Sequence, residues 1–209
     1  MGRPYFAYAS LLLVAVIAAT FFVVSSRSSG TSSGQPAASA PVLGAASFTT
    51  TYETGWSLTS TPGPHGGHRY QLSSDDAPIS PVGFPMAGGV GITIDEAPLA
   101  ALVHGQLPDA TAVPKATRLT ALGLLPLLIG APRGAEAVSR TALRGIPLAG
   151  VEAGEDSYVY IDEDRENVQV DVLAEHGGRV VHIELDTEPG LAPAGEEALA
   201  TMIGHWSWH

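Results

Sequence analysis

The chain of 209 residues contains no cysteine. Disulfides, thiolate metal sites and thiol nucleophiles are thereby excluded together, and the fold must be held by its core. Lysine is nearly absent, Lys115 being the single example. Basic residues number 10 against 21 acids, and a surface that tracks nucleic-acid phosphates needs clustered Lys and Arg, so nucleic acid is not expected as a partner. The motifs of familiar catalytic sites are also missing. Across residues 48–209 there is no Gly-x-Ser-x-Gly, Ser-x-x-Lys, His-Glu-x-x-His or Gly-x-x-x-x-Gly-Lys.

The charge that is present is unevenly placed. Residues 151–209 hold 14 Asp or Glu against Arg165 and Arg179, a balance of −12, whereas residues 48–150 hold 7 acids against 6 bases. The acidic C-terminal third is expected to be a solvated face that keeps the protein soluble.

Tyr5 to Val24 is apolar and uncharged, the ~20 residues needed to cross a hydrocarbon core. It is longer than the apolar core of a typical cleaved signal, so an uncleaved single-pass anchor in the lipid bilayer is expected over residues 1–24. Cleavage near Val24-Ser25-Ser26 or Ala38-Ser39-Ala40 is the alternative. Residues 25–47, rich in Ser, Ala, Gly and Pro, cannot bury enough apolar surface to fold and read as a linker. As a coil they would span roughly 25–30 Å. A short N-terminus inside and a domain over residues 48–209 outside the cytoplasm is the simplest orientation.

Within that domain, period-2 alternation is clearest near the end. Val168, Val170 and Val172 alternate with Gln169 and Asp171; Val181, Ile183 and Leu185 alternate with His182, Glu184 and Asp186; Glu175-His176-Gly177-Gly178 is the turn between them. Ala192 to Trp206 then places Leu199, Met202, Ile203 and Trp206 on one helical stripe, expected to cover the valine face of the hairpin. Earlier, strands are expected over 48–58, 69–72, 90–94, 135–143, 148–152 and 156–161, with 61–68 as a Pro/Gly loop. Asp95-Glu96-Ala97-Pro98 has the form of a helix start. Leu119 to Ile129 is apolar but is broken by Gly123 and Pro126, and is expected to be a buried core segment. The fold class predicted is α+β, an antiparallel sheet packed against a C-terminal helix and preceded by one transmembrane helix.

The Gly55-Trp56 pair in an early aromatic strand, the central meander, Tyr158-Val159-Tyr160, the hairpin and a last helix ending in Trp206 and Trp208 together resemble the PsbP-like α+β fold. The resemblance spans roughly residues 48–209 and rests on aromatic and hydrophobic spacing. That family includes an extrinsic subunit of the photosynthetic oxygen-evolving complex. The resemblance implies an accessory or binding role and no catalytic residue set to carry over.

Seven histidines are the residues that could suggest a metal. His65 and His68 share the Pro/Gly loop, and His205 and His209 stand at i, i+4 near the last helix. Neither pair alone supplies a complete ligand set. His182, Asp171 and Glu184 lie on one face of the hairpin: a Gly177-Gly178 turn would set Asp171 opposite Glu184, a carboxylate pair able to hold a cation or share a proton, whereas a His176-Gly177 turn would set it opposite His182 as an ion pair. The acidic run 162–167 lacks the Gly and the bidentate Glu of a calcium loop and reads as a solvated turn. Trp208, with Leu124, Leu127 and Leu128, could contact a partner protein or the lipid interface.

The function expected is therefore that of a non-enzymatic, membrane-anchored extracytoplasmic binding or accessory module, met by an envelope protein partner and using no cofactor. The alternatives are a divalent metal- or cation-binding domain built on the histidines and the acidic hairpin, and a hydrolase of unfamiliar type.

Overall fold

The computed structural model describes residues 39–74, 89–101, 136–141, 143–162 and 164–209. In chain order its strands are β1 (Val42–Gly44), β2 (Phe48–Thr51), β3 (Ser57–Pro62), β4 (His68–Ser73), β5 (Val90–Pro98), β6 (Glu136–Arg140), β7 (Arg144–Leu148), β8 (Val151–Asp162), β9 (Arg165–His176) and β10 (Arg179–Thr187), followed by helix α1 (Ala192–Gly204) and strand β11 (Ser207–Trp208). Eight strands form one sheet in the order β3-β4-β5-β10-β9-β8-β6, with β7 also paired to β8; β1, β2 and β11 form a second, three-stranded sheet. The assigned strand pairs are antiparallel. An α+β architecture with the helix at the C-terminal end follows from this order.

The central hairpin explains its own register. Gly177 (φ 60°) and Gly178 (φ 77°) both sit in the left-handed region, the two-residue turn whose twist matches the flanking strands and that only glycine enters without cost. Asp171 is consequently paired with Glu184, and Val172 with Ile183. A His176-Gly177 turn would have forced an imidazole-bearing residue into that region.

On one face the sheet meets α1. Val172, Val181, Ile183, Leu185, Ile92, Ile94, Leu199, Met202 and Trp206 belong to one buried cluster, each large aliphatic contributing roughly 1.5–3 kcal/mol by leaving water. Contact is close because Gly195 faces the sheet: a Cβ built there would lie 2.9 Å from Leu185 Cδ1. The helix ends by handing its carbonyls to side chains, with Thr50 Oγ1 donating to Met202 O (2.6 Å) and His205 Nδ1 to Thr201 O (2.9 Å). The second sheet closes this layer, since Phe48 of β2 stacks on Trp206 at 4.1 Å.

Several local expectations are corrected. Val42–Gly44, assigned to the linker, is a strand with Leu43 buried. The single early strand is two, separated by a turn at Thr54-Gly55. The expected loop 61–68 is shorter, a 3₁₀ turn at Pro64–Gly66 between β3 and β4. Asp95 to Pro98 is the end of β5, not a helix start. Its acids find cationic partners on neighbouring strands, Arg69 for Asp95 and Arg179 for Glu96, so tertiary pairing overrides the local capping signal. Residues 99–101 are helical. Residues 149–150, placed within a strand, are the turn between β7 and β8, and α1 stops at Gly204, leaving Trp208 in β11.

Among the described residues no helix is long and apolar enough to cross a membrane. The expected anchor over residues 5–24, and the apolar stretch holding Leu124, Leu127 and Leu128, lie outside the described residues.

Candidate functional site

The face of the sheet opposite α1 is polar and buried. Alternation along β8, β9 and β10 turns Asp156, Tyr158, Tyr160, Gln169, Asp171, Glu184 and Asp186 to one side. Asp156 and Asp171 are fully buried, and Gln169 and Asp186 nearly so. The expected solvated acidic face is thus corrected. These carboxylates are withdrawn from water, which requires that they be paired.

The pairing is specific. Arg69 Nε and Nη2 donate to Asp95 Oδ1 and Oδ2 at 2.7 and 2.6 Å. Arg140 donates from Nε to Asp156 Oδ2 at 2.8 Å and also through Nη2. Tyr160 Oη donates to Asp186 Oδ2 at 2.7 Å, and burial together with the Asp186 charge holds the phenol protonated far above its ordinary range. Asp171 accepts His182 Nε2–H at Oδ1 (2.8 Å) and the Gln169 amide at both oxygens (3.1 and 3.0 Å).

Register brings the central group together. Asp156 pairs with Asp171, and Asp171 with Glu184, so three carboxylates stand in a row across β8, β9 and β10. His182, two residues before Glu184, reaches Asp171 along the diagonal and is itself paired with Asp95 of β5. One ligand atom each from Asp171, His182 and Glu184 lies within 4.8 Å of the others, the one such group of His or carboxylate residues among the described residues.

Electrostatics couple the three. Burial alone would depress the His182 pKa, but the hydrogen bond and charge of Asp171, helped by Glu184 and Asp95, outweigh it and raise the imidazole above its ordinary value. Burial, opposed by His182 and reinforced by Asp171, Asp186 and Asp95, pushes Glu184 up to about 7. The cluster is short of positive charge and holds one imidazole and two carboxylates, a donor set suited to hard or borderline divalent ions.

The other expected ligands fall elsewhere. His65 sits in the 3₁₀ turn and His68 at the start of β4, exposed and paired with Glu96. His205 caps α1, and His209 Nε2 hydrogen-bonds with Thr49 Oγ1 at 2.6 Å. Trp208 is half-buried, stacks on His176 at 5.0 Å and donates its indole N–H to Leu148 O at 3.0 Å. Asp156, Gln169 and Arg140 went unnoticed as neighbours of the cluster. Shared parity along β8 and β9 was the available signal, but it needed the register between them.

No family model matches the chain, and no curated protein matches it. Among solved structures it is similar to LpqN of Mycobacterium tuberculosis, described as involved in cell envelope biogenesis, with 13% identity, coverage of 77% of this chain and 82% of that one, and a TM-score of 0.46. It is also similar to cyanobacterial PsbP (CyanoP) from Synechocystis sp. PCC 6803, with 14% identity, coverage of 86% and 98%, and a TM-score of 0.46. A Pseudomonas aeruginosa protein of unknown function, a putative regulator, is similar at 18% identity, 70% and 82% coverage and a TM-score of 0.34. A PsbP structure is thus among the similar folds, as the aromatic spacing implied, and likeness at these scores carries no argument about activity.

Proposed function

We propose that this is a non-enzymatic binding domain whose ligand is a divalent cation held by Asp171, His182 and Glu184, displayed outside the cytoplasm on the anchor of residues 5–24. The observation that carries the reading is the convergence of one imidazole and two carboxylates, on adjacent strands, within 4.8 Å on a buried sheet face. The apolar anchor and the linker behind it support a tethered module that meets an envelope protein close to the membrane.

Thermal melting of the full chain in mild detergent, apo and with Mn(II), Co(II), Zn(II) or Ca(II), tests the cation. An ion at ~100 times its dissociation constant stabilises by roughly 2.7 kcal/mol, a shift of several degrees for a domain this size. The shift should reverse with chelator and vanish in Glu184→Gln. Equal melting with and without every ion would discard the reading and leave only the tethered module.

A further inference from the structure

Two buried acceptors beside the cluster have no donor among the described residues. Asp156 is fully buried and stands directly across from Asp171 in the β8–β9 register; its Oδ2 is held by Arg140, but its Oδ1 finds no hydrogen-bond partner among the described residues. Gln169 is 3% exposed and donates from Nε2 to both oxygens of Asp171, while its Oε1 likewise has no partner among the described residues. Both orphan atoms are oxygens that can only accept, on the same face as the three candidate ligands. Buried polar groups are almost always satisfied, so these two oxygens call for a donor that the described residues do not supply.

The ligands themselves indicate where donors come from. Asp171, His182 and Glu184 all project from one side of one hairpin and can cover only one side of an ion. A six-coordinate ion so held fills its remaining positions with water, and water polarised by a metal is a strong hydrogen-bond donor. We infer that the cation at Asp171, His182 and Glu184 is six-coordinate and keeps bound water, and that Asp156 Oδ1 and Gln169 Oε1 accept the hydrogens of that water. The inference rests on the cation reading above and narrows it to ions of the Mn(II), Fe(II) or Co(II) kind, against a four-coordinate zinc-type site. It gives Asp156 and Gln169 a positioning role: they hold the metal's water without touching the metal.

Co(II) added to the full chain in detergent reports coordination number by its visible spectrum, weak when six-coordinate and intense blue when tetrahedral. The wild type should show the weak spectrum. Asp156→Asn should lose about 10–100-fold in Co(II) affinity while the spectrum keeps its form, because the Asn carbonyl turns to Arg140 and its NH₂ then faces the water with the wrong polarity. Gln169→Met should act in the same direction. Water proton relaxation by the Mn(II)-loaded wild type needs no variant and should reveal inner-sphere water even where a variant fails to fold. An intense tetrahedral Co(II) spectrum, Mn(II) without exchangeable water, or folded variants that bind as tightly as wild type would each overturn the inference while the site survives. A wild type that binds neither Co(II) nor Mn(II) would instead overturn the site itself.

Discussion

The two faces of the large sheet are buried to similar depth by opposite chemistry. Toward α1, Val172, Ile183 and Leu185 have no exposed surface; on the other side, neither do Asp156 and Asp171. The first face is stabilised by area removed from water and does not depend on direction. The second is held by named donors meeting named acceptors, and each partner removed leaves a charge stranded. One face therefore degrades gradually and without regard to pH, whereas the other fails by single contacts and responds to protons and cations.

The largest effect is expected where that contrast is sharpest. Asp171→Ala removes the acceptor for His182 and for the Gln169 amide nitrogen, and should cost roughly 3–5 kcal/mol in denaturant melts. Ile183→Ala on the apolar face, directly across from Val172, should cost about 3 kcal/mol from lost transfer energy and the cavity left behind. Its loss should be the same at pH 5 and pH 8. If the Asp171 variant showed that same flat pH response, the distinction between the faces would fail.

Proton linkage is the next largest effect, and both groups act in one direction. Glu184 is raised from 4.5 to about 7 in the fold. The unfolded chain therefore releases this proton first, and stability falls as pH climbs from about 4.5 to 7. His182 is raised above 6.5, so its contribution is full below 6.5 and is lost as pH rises through its folded value. At the ~1.4 kcal/mol that one unit represents, and discounted for partial exposure, Glu184 alone should make the apo domain on the order of 2 kcal/mol less stable at pH 8 than at pH 5. Glu184→Gln should flatten much of that slope in urea titrations.

A smaller effect tests the apolar side. Gly195→Val drives a branched side chain against Leu185 and Val90 and should cost about 1–3 kcal/mol by overpacking. The smallest effect lies outside both faces. Ala149, in the turn between β7 and β8, has φ 49°, a left-handed conformation that penalises a Cβ. Ala149→Gly should raise stability by about 0.5–1 kcal/mol, a gain that leaves cation binding unchanged.

Much of the hairpin could be read from the residues. Alternation assigned Val170, Val172, Val181, Ile183 and Leu185 to one face, and the helical stripe of Leu199, Met202 and Trp206 to the element that covers it. The candidate site was only half legible, because Asp171, His182 and Glu184 were visible as a group while Gln169, Asp156 and Arg140 were not. Arg140 and Asp156 are sixteen residues apart and meet only because β6 lies beside β8. The Asp95-Glu96-Ala97-Pro98 segment misled for the same reason: its local pattern is that of a helix cap, and its partners Arg69 and Arg179 are remote in sequence.

The sequence by itself determined which residues share a face, since strand periodicity is a local property of alternating side chains, but it left the turn open between His176-Gly177 and Gly177-Gly178, and the structure decided for the latter. Tertiary structure alone decided that the acidic face would be buried, which acids would find arginines, and which oxygens beside the cluster would have no donor among the described residues. Burial and pairing depend on what the chain brings against a face from a distance. No local pattern carries that information.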